Sequence, residues 1–146
     1  MGTLGIVKAI AVRDASRAPM QEQQHVEVTL QQGIVQDYRG TGLRQVTFLD
    51  AGQWQEVLDE LGVELPWYTR RANVLVEGID LPVTVGRRLQ AGACRFAIGG
   101  ETTPCQRMDE LQPGLRCILT PALRGGVWGK VLQGGLLSVG DEVRVL

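Results

Sequence analysis

The stretch NVLVEGIDLPVTVGRRLQAGACRFAIGG, residues 73–100, decides the fold class. It contains three short apolar runs, NVLVEG, LPVTVG and CRFAIG, and each run ends at a glycine. Short runs rich in β-branched and aromatic residues, bounded by glycine or proline, are typical of β-strands. The stretch therefore predicts several short strands that follow one another through tight connections.

Strand patterns continue on both sides of this stretch. Upstream lie GIVKAIAVRD, HVEVTLQQG and RQVTFLD, and downstream lie RCILTP, VWGKVLQG and DEVRVL. In HVEVTLQQG, Val26, Val28 and Leu30 alternate with polar residues, which indicates a half-buried strand. Nineteen glycines and six prolines fit a turn-rich chain. The sequence predicts a mainly β protein, a closed or partly open β-barrel with one or two short helices, forming a single domain over residues 1–146.

One segment, DAGQWQEVLDELGVELP, has helical rather than strand periodicity. Its apolar side chains recur at i, i+3, i+4 and i+7: Trp54, Val57, Leu58 and Leu61. Asp50 is placed to cap the start, Gln53 follows three residues later as in a capping box, and Gly62 suits the C-terminal exit.

Composition excludes several classes of function. The chain of 146 residues has a formal net charge of −1, so no broad positive field favours nucleic acid as a partner. No segment approaches the length of a membrane span, and the N-terminus lacks the layout of a signal peptide, so we expect a cytoplasmic protein with reduced thiols. There is no GxSxG, Walker A or strand-following GxGxxG motif, and the single histidine, His25, falls on the polar face of its strand.

The three cysteines fall into two kinds. Cys94 alternates with Phe96 and Cys117 with Leu119, and both are interpreted as small core residues of strands. Cys105 follows Pro104 in ETTPCQR, which predicts an exposed connection, and Arg107 lies two residues on. Positive charge near a thiol favours the thiolate, which can attack or accept sulfur or bind a soft metal. The alternative is an incidental loop thiol.

Two basic stretches are candidate anion sites. Arg70, Arg71 and Asn73 stand at the entry to a strand, where two guanidinium groups and an amide can clamp a phosphate or sulfate. The alternative is a solvated loop, as for the second pair, Arg87 and Arg88. A polar stretch broken by glycines, VQDYRGTGLRQV, carries a further set: Asp37, Arg39 and Arg44.

In their order and spacing these segments resemble the MOSC family, the domain found at the C-terminus of molybdenum cofactor sulfurases and as free-standing bacterial proteins. The matching stretches are GIVQDYRGTGLRQVTFLD, TRRANVLVEGIDLPVTVGRRLQAGACRFAIGG, the TPC loop and GGVWGKVLQGGLLSVGDEVRVL, across residues 33–146. The resemblance implies a β-barrel-like fold. It also implies that Cys105 carries persulfide sulfur or ligates molybdenum.

The resemblance implies a binding site as well. Arg70, Arg71 and Asn73 match the position where relatives hold the phosphate of the molybdenum cofactor. Three further residues, with Arg107, are expected around it: Asp37, Arg39 and Arg44. The implied partners are the molybdenum cofactor and a sulfur donor such as a cysteine desulfurase. Pyridoxal phosphate is associated with fused family members, but no lysine here has a convincing setting for a Schiff base.

Three hypotheses follow. The first is a module that binds the cofactor or carries sulfur on Cys105. The second is a sulfur transferase or a molybdenum-dependent oxidoreductase that reduces N-hydroxylated compounds, for which a separate redox partner would supply electrons. The third is a barrel that binds partners without catalysis.

Overall fold

The computed structural model describes residues 4–38 and 42–146. Eleven strands are present there: β1 (Leu4–Val12), β2 (Gln21–Gln23), β3 (His25–Thr29), β4 (Gly33–Ile34), β5 (Val46–Asp50), β6 (Val74–Glu77), β7 (Arg88–Ala91), β8 (Cys94–Glu101), β9 (Val127–Gln133), β10 (Gly135–Ser138) and β11 (Glu142–Val145). The α-helices of this part of the chain are α1 (Ala51–Leu61), α2 (Gln106–Leu111) and α3 (Leu115–Leu119). Single 3₁₀ turns cover Trp67–Arg70, Leu81–Thr84 and Pro121–Leu123.

Seven strands close into a barrel in the order β11-β7-β8-β9-β5-β6-β1, and β11 pairs back to β1. The pair β5–β6 is parallel, and the other barrel pairs are antiparallel. β2 adds to the far end of β1, and a separate three-stranded sheet has the order β10-β3-β4. The prediction of a mainly β, closed barrel is confirmed.

The protein has two apolar clusters, and β5 lies between them. Phe48 points into the barrel, where its ring meets the edge of Phe96 at a centroid distance of 5.1 Å. The next residue, Leu49, points the other way, into a cluster that the helices cover. Because both faces of β5 are buried, two large apolar residues, Phe48 and Leu49, follow one another there instead of alternating with polar residues. The helices thus form a cap on one side of the barrel.

Helix α1 begins and ends where the sequence predicts. Asp50 Oδ1 accepts hydrogen bonds from the backbone N–H groups of Gly52 and Gln53, and Gly62 ends the helix in a left-handed conformation. The predicted capping box is incomplete, because the Gln53 side chain donates to the carbonyl of Ala122 instead.

Two predicted strands are wrong, and the helix count rises to three. The LPVTVG run forms a 3₁₀ turn, where Pro82 lacks the N–H that a strand ladder needs. The RCILTP run contributes to α3, whose Leu115 and Leu119 are one helical turn apart and are both buried under the cap. Short apolar runs fit a buried strand and a buried helix equally well. Leu30 was predicted to be buried, but it follows the end of β3 and is exposed.

In the described ranges, no helix has both the length and the apolar character that a membrane-crossing segment requires.

Candidate functional site

Two neighbouring hollows, both lined by arginines, lie beside β1, β5 and the Trp67–Arg70 turn. The inner pocket has a volume of about 200 Å³, and its lining includes Arg13, Asp37, Tyr38, Arg44, Arg71 and Asn73. The outer groove has a volume of about 470 Å³, and its lining includes Arg17, Tyr68, Arg71, Arg107 and Leu111. Met20 and Arg71 line both hollows, so the two meet at these side chains. We call the combined hollow the arginine cleft.

The arginine cleft carries an excess of positive charge. Partial burial lowers the pKa of the Arg71 guanidinium, and the charges of Arg13 and Arg107 lower this pKa further. Arg17 acts in the same direction, whereas the carboxylate of Asp37 opposes it. The guanidinium groups therefore repel one another, and a bound anion would relieve that repulsion.

Local contacts fix the arginines of the inner pocket in place. The backbone N–H of Arg13 donates to Asp37 Oδ1 at 3.0 Å, and the Arg13 guanidinium lies 5.9 Å from the centre of the Tyr38 ring. The guanidinium of Arg44 lies 5.8 Å from the ring centre of Trp128. A guanidinium held by an aromatic ring loses less conformational freedom when it binds a ligand. The inner pocket is therefore preorganised.

Arg70 and Arg71 are adjacent but serve different parts of the molecule. Arg71 has a left-handed backbone with φ of 66°, which turns the two side chains apart. Arg71 Nη2 donates to the carbonyl of Ala18 at 2.6 Å, within the cleft. Arg70 is only 6% exposed and points under the helical cap.

The contacts of Arg70 form a buried brace, which we define as Arg70 with Thr102, Gly125 and Met108. Arg70 Nε donates to the carbonyl of Gly125 at 2.9 Å, and Nη2 donates to the carbonyl of Thr102 at 2.7 Å. Nη1 lies 3.7 Å from the sulfur of Met108. Burial lowers the pKa of Arg70 to about 10. The brace thus ties the loop that leads to Cys105 onto the barrel.

Asn73 lines the inner pocket, but its side chain holds strands together. Asn73 Oδ1 accepts from both the backbone N–H and the hydroxyl of Thr47, at 3.1 Å each. Asn73 Nδ2 donates to the carbonyl of Ala11 at 3.3 Å. These bonds join β6 to β5 and β1 and leave the amide little capacity for a ligand.

Cys105 is exposed and occupies the N-cap position of α2, directly after the buried Pro104. Arg70 lies close enough for its charge to attract that of the Cys105 thiolate, and this attraction partly offsets the lowering of the Arg70 pKa. Arg107, two residues along α2, lines the outer groove. The thiol therefore lies within one helical turn of a side chain of the arginine cleft.

The other two cysteines differ from each other. Cys94 is fully buried in β8, as predicted, and burial raises its pKa to about 11. Cys117 was predicted to be a core residue of a strand, and this is wrong. It lies on α3 with its side chain exposed, because Leu115 and Leu119 take the buried face of that helix.

The structure assembles most of the predicted site residues and adds others. Arg71, Asp37 and Arg44 meet in the inner pocket, whereas Arg39 lies outside the described residues. Sequence reasoning missed Arg13 and Arg17, which lie at and just beyond the end of β1 in the motif RDASR. The signal was a pair of arginines after a strand, but the proximity of this pair to Asp37, Arg44 and Arg71 depends on long-range packing.

A larger cavity of about 710 Å³ lies at the start of α1. Its lining includes Asp50, Glu77 and Asp80, which would repel an anion, and none of the predicted site residues. Across residues 4–38 and 42–146, no group of three or more His, Cys, Asp or Glu side chains is arranged to hold a metal ion.

The protein is a small closed β-barrel with a helical cap and a lateral three-stranded sheet. Several solved structures share this overall fold. YuaD from Bacillus subtilis superimposes with a TM-score of 0.83 at 21% identity, covering 97% of this chain and 95% of that one. YiiM from Geobacillus stearothermophilus gives a TM-score of 0.75 at 16% identity, covering 98% and 75% of the two chains. YiiM from Escherichia coli gives 0.73 at 11% identity, covering 97% and 69%. At these identities the likeness concerns the fold.

The sequence itself matches the family profile of the MOSC domain over residues 36–144. The chain therefore belongs to the MOSC domain family, which is associated with molybdenum-cofactor binding and sulfur-related function. A search of curated protein sequences found no significant match.

Proposed function

We propose that this protein binds an anionic cofactor of the molybdopterin type in the arginine cleft and accepts sulfur on Cys105. The observation that carries the proposal is the placement of Cys105 and Arg107 on one turn of α2, with Arg107 lining the same groove as Arg71. Cys105 is not among the lining residues of either hollow, so a ligand would reach it by extending from the groove past Arg107. Such a ligand has a phosphate at one end and a sulfur-containing or metal-containing group at the other.

The donor set of the inner pocket fits the phosphate of such a cofactor. Guanidinium groups bind phosphate through paired, charge-assisted hydrogen bonds, and Arg13, Arg44 and Arg71 line one pocket. In the outer groove, Arg107 Nε is buried and has no hydrogen-bond partner among the described residues. An orphaned buried donor is costly, and an anionic ligand would satisfy it.

The roles of the predicted residues are refined accordingly. Arg71, Arg13 and Arg44 hold the anion, and Asp37 orients Arg13 through the backbone hydrogen bond. Arg70 and Asn73 act as positioning residues, because their polar atoms are engaged within the fold. Arg39 remains a candidate ligand from the sequence.

Sulfur loading requires only the Cys105 thiolate and a persulfide donor. The Cys105 Sγ attacks the outer sulfur of the donor persulfide, and a new S–S bond forms at Cys105 as the donor S–S bond breaks. The bonding electrons leave with the donor sulfur as a thiolate, so no external oxidant or reductant is needed. When bound, a molybdenum centre would offer a soft metal position to the same thiolate.

Intact-mass measurement tests the proposal. The protein is incubated without oxygen with a cysteine desulfurase and cysteine, and we expect an adduct of one sulfur atom. The adduct should disappear in Cys105→Ser and persist in Cys117→Ser, which removes the other exposed thiol. An adduct that survives in Cys105→Ser, or none in the wild type, would show that Cys105 does not carry sulfur.

A further inference from the structure

We propose that the outer groove is a second anion site and that the ligand of the arginine cleft carries two separate phosphate-type groups. This inference rests on the proposed function, because the first group is the one held in the inner pocket. It specifies the ligand as an elongated molecule, such as a diphosphate-linked nucleotide, rather than a compact phosphate monoester.

The first argument is the shape of the arginine cleft. The inner pocket and the outer groove share Arg71 and Met20, so a ligand can pass from one to the other. The groove has more than twice the volume of the pocket. A single phosphate in the inner pocket leaves this second hollow and its guanidinium groups without a ligand.

The second argument is the distribution of charge. Arg13 and Arg44 belong to the inner pocket, Arg17 and Arg107 belong to the outer groove, and Arg71 lines both. Among the described residues that line the two hollows, Asp37 carries the one carboxylate, and Glu110 contacts two arginines of the groove. Positive charge therefore exceeds negative charge in each half, and one anion neutralises only one half.

The third argument is that the groove has an unmet hydrogen-bond requirement of its own. Arg107 Nε is buried without a partner in the part of the chain that the structure describes, although Nη1 of the same side chain reaches Glu110 at 3.4 Å. The guanidinium plane is thus only partly used by the protein. An anion in the groove would supply the missing acceptor.

The fourth argument is backbone strain. Arg17 and Arg71 have φ values of 61° and 66°, in the left-handed region that arginine rarely adopts. Both residues line the groove. Strain of this kind persists where the surrounding fold enforces it, and it concentrates at ligand-binding sites.

Glu110 acts as an internal substitute for the second anion. Its Oε1 accepts from Arg17 Nη1 at 3.0 Å and from Arg107 Nη1 at 3.4 Å, which bridges the two arginines of the groove. These hydrogen bonds lower the pKa of Glu110, first through Arg17 and then through Arg107. A ligand phosphate would replace this carboxylate, so Glu110 competes with the second group and not with the first.

Titration calorimetry with two probes at constant ionic strength tests the inference. Inorganic phosphate reports on the inner pocket, because Glu110 already occupies the arginines of the groove, whereas inorganic tripolyphosphate is long enough to reach both and displace that carboxylate. Arg44→Ala should weaken both probes. Arg17→Ala should weaken tripolyphosphate about threefold to tenfold and leave phosphate unchanged. Glu110→Gln should strengthen tripolyphosphate only. Arg88→Ala removes an exposed arginine of β7, outside the cleft, and serves as the charge-matched control.

Three outcomes would overturn the second site. If Arg17→Ala leaves tripolyphosphate binding unchanged, or weakens it no more than Arg88→Ala does, the groove holds no anion. If Arg17→Ala weakens both probes equally, Arg17 acts through its long-range charge and not through a contact in the groove. If Arg44→Ala does not weaken phosphate binding, the inner pocket does not hold the first anion, and the proposed function fails as well. The failure of the second site is thereby distinguished from the failure of the proposed function. Circular dichroism verifies that each variant is folded.

Discussion

The buried brace and the arginine cleft are built from adjacent residues, yet they place guanidinium groups in opposite environments. In the brace, Arg70 is sealed from solvent and donates to two carbonyl oxygens of the protein. In the cleft, Arg71 is half-buried among other arginines that repel it. The difference teaches that an arginine pair in a sequence is not automatically one binding site. One member here maintains the structure, and the other is available to a ligand.

Removing each arginine in turn gives the largest expected contrast. Arg70→Ala removes the donor from one buried and one part-buried carbonyl and opens a cavity, so we expect the free energy of unfolding to fall by about 3–4 kcal/mol. Arg71→Ala should change it by less than about 1 kcal/mol, because the lost bond to Ala18 is offset by reduced repulsion. Urea denaturation measures both, and equal losses would remove the distinction between brace and cleft.

Gly125→Ala should damage the brace while leaving the arginine in the sequence, because the new Cβ would lie 3.2 Å from Arg70 Nη2. A Cβ at this position would lie 2.8 Å from the carbonyl oxygen of Thr102 and 3.3 Å from Cδ of Pro104. We expect a loss of about 2 kcal/mol in unfolding free energy and a change in the alkylation rate of Cys105, since the loop before that residue must move. Gly100→Ala is the control, because its Cβ would meet Trp128 Nε1 at an ordinary 3.4 Å. Unaltered stability in Gly125→Ala would indicate that the brace is not tightly packed.

The cysteines show the same contrast between a buried and an accessible side chain, since Cys94 is buried and Cys105 is exposed. Burial, aided by the charge of Asp141, raises the pKa of Cys94 from about 9 to about 11. The unfolded chain therefore ionises first as pH rises, so the stabilising contribution is complete below pH 9 and is lost between about pH 9 and pH 11.

This titration is measurable in stability curves. Between about pH 9 and pH 11, the unfolding free energy of the wild type should fall more steeply with pH than the unfolding free energy of Cys94→Ala. Below about pH 9 the variant should be the less stable of the two, because it loses packing in the barrel. Parallel curves would contradict the assignment. At neutral pH the exposed Cys105 should alkylate before Cys94 in the folded protein.

The smallest effect is expected from the ring that supports Arg44. Trp128→Phe keeps an aromatic side chain but weakens the cation–π contact, worth about 0.5–1 kcal/mol at such sites. Phosphate affinity should fall about twofold to fivefold with little change in stability. Calorimetry on the double variant tests whether the ring acts through the Arg44 guanidinium. If it does, adding Trp128→Phe to Arg44→Ala should not lower the phosphate affinity further.

Much of the fold was predictable because local patterns determine it. Neighbouring residues predict the α1 periodicity with its caps and the exposed thiol of Cys105. They also predict six of the strands: β1, β5, β6, β8, β9 and β11. The RCILTP run, residues 116–121, was predicted as a strand because so short a run cannot separate strand periodicity from helix periodicity. Its helical state depends on packing under the cap.

The candidate site was predictable in part. Arg71, Asp37 and Arg44 were identified from the sequence, and the structure brings them into one pocket. Arg70 and Arg71 point into different environments because the backbone of Arg71 is left-handed, and the pattern of side chains in the sequence does not reveal that conformation. Arg13 and Arg17 enter the cleft only because β1 pairs with β6, far along the chain.

The pairing of β1 with β11 has a consequence for folding during translation. Leu4 lies opposite Arg144, so β1 is synthesised well before β11, and the barrel cannot close until β11 has left the ribosome. Until then the apolar edge of β1 is open to other chains, and closure is a slow, non-local event. Chaperone dependence during translation is therefore expected to exceed dependence during refolding of the finished chain.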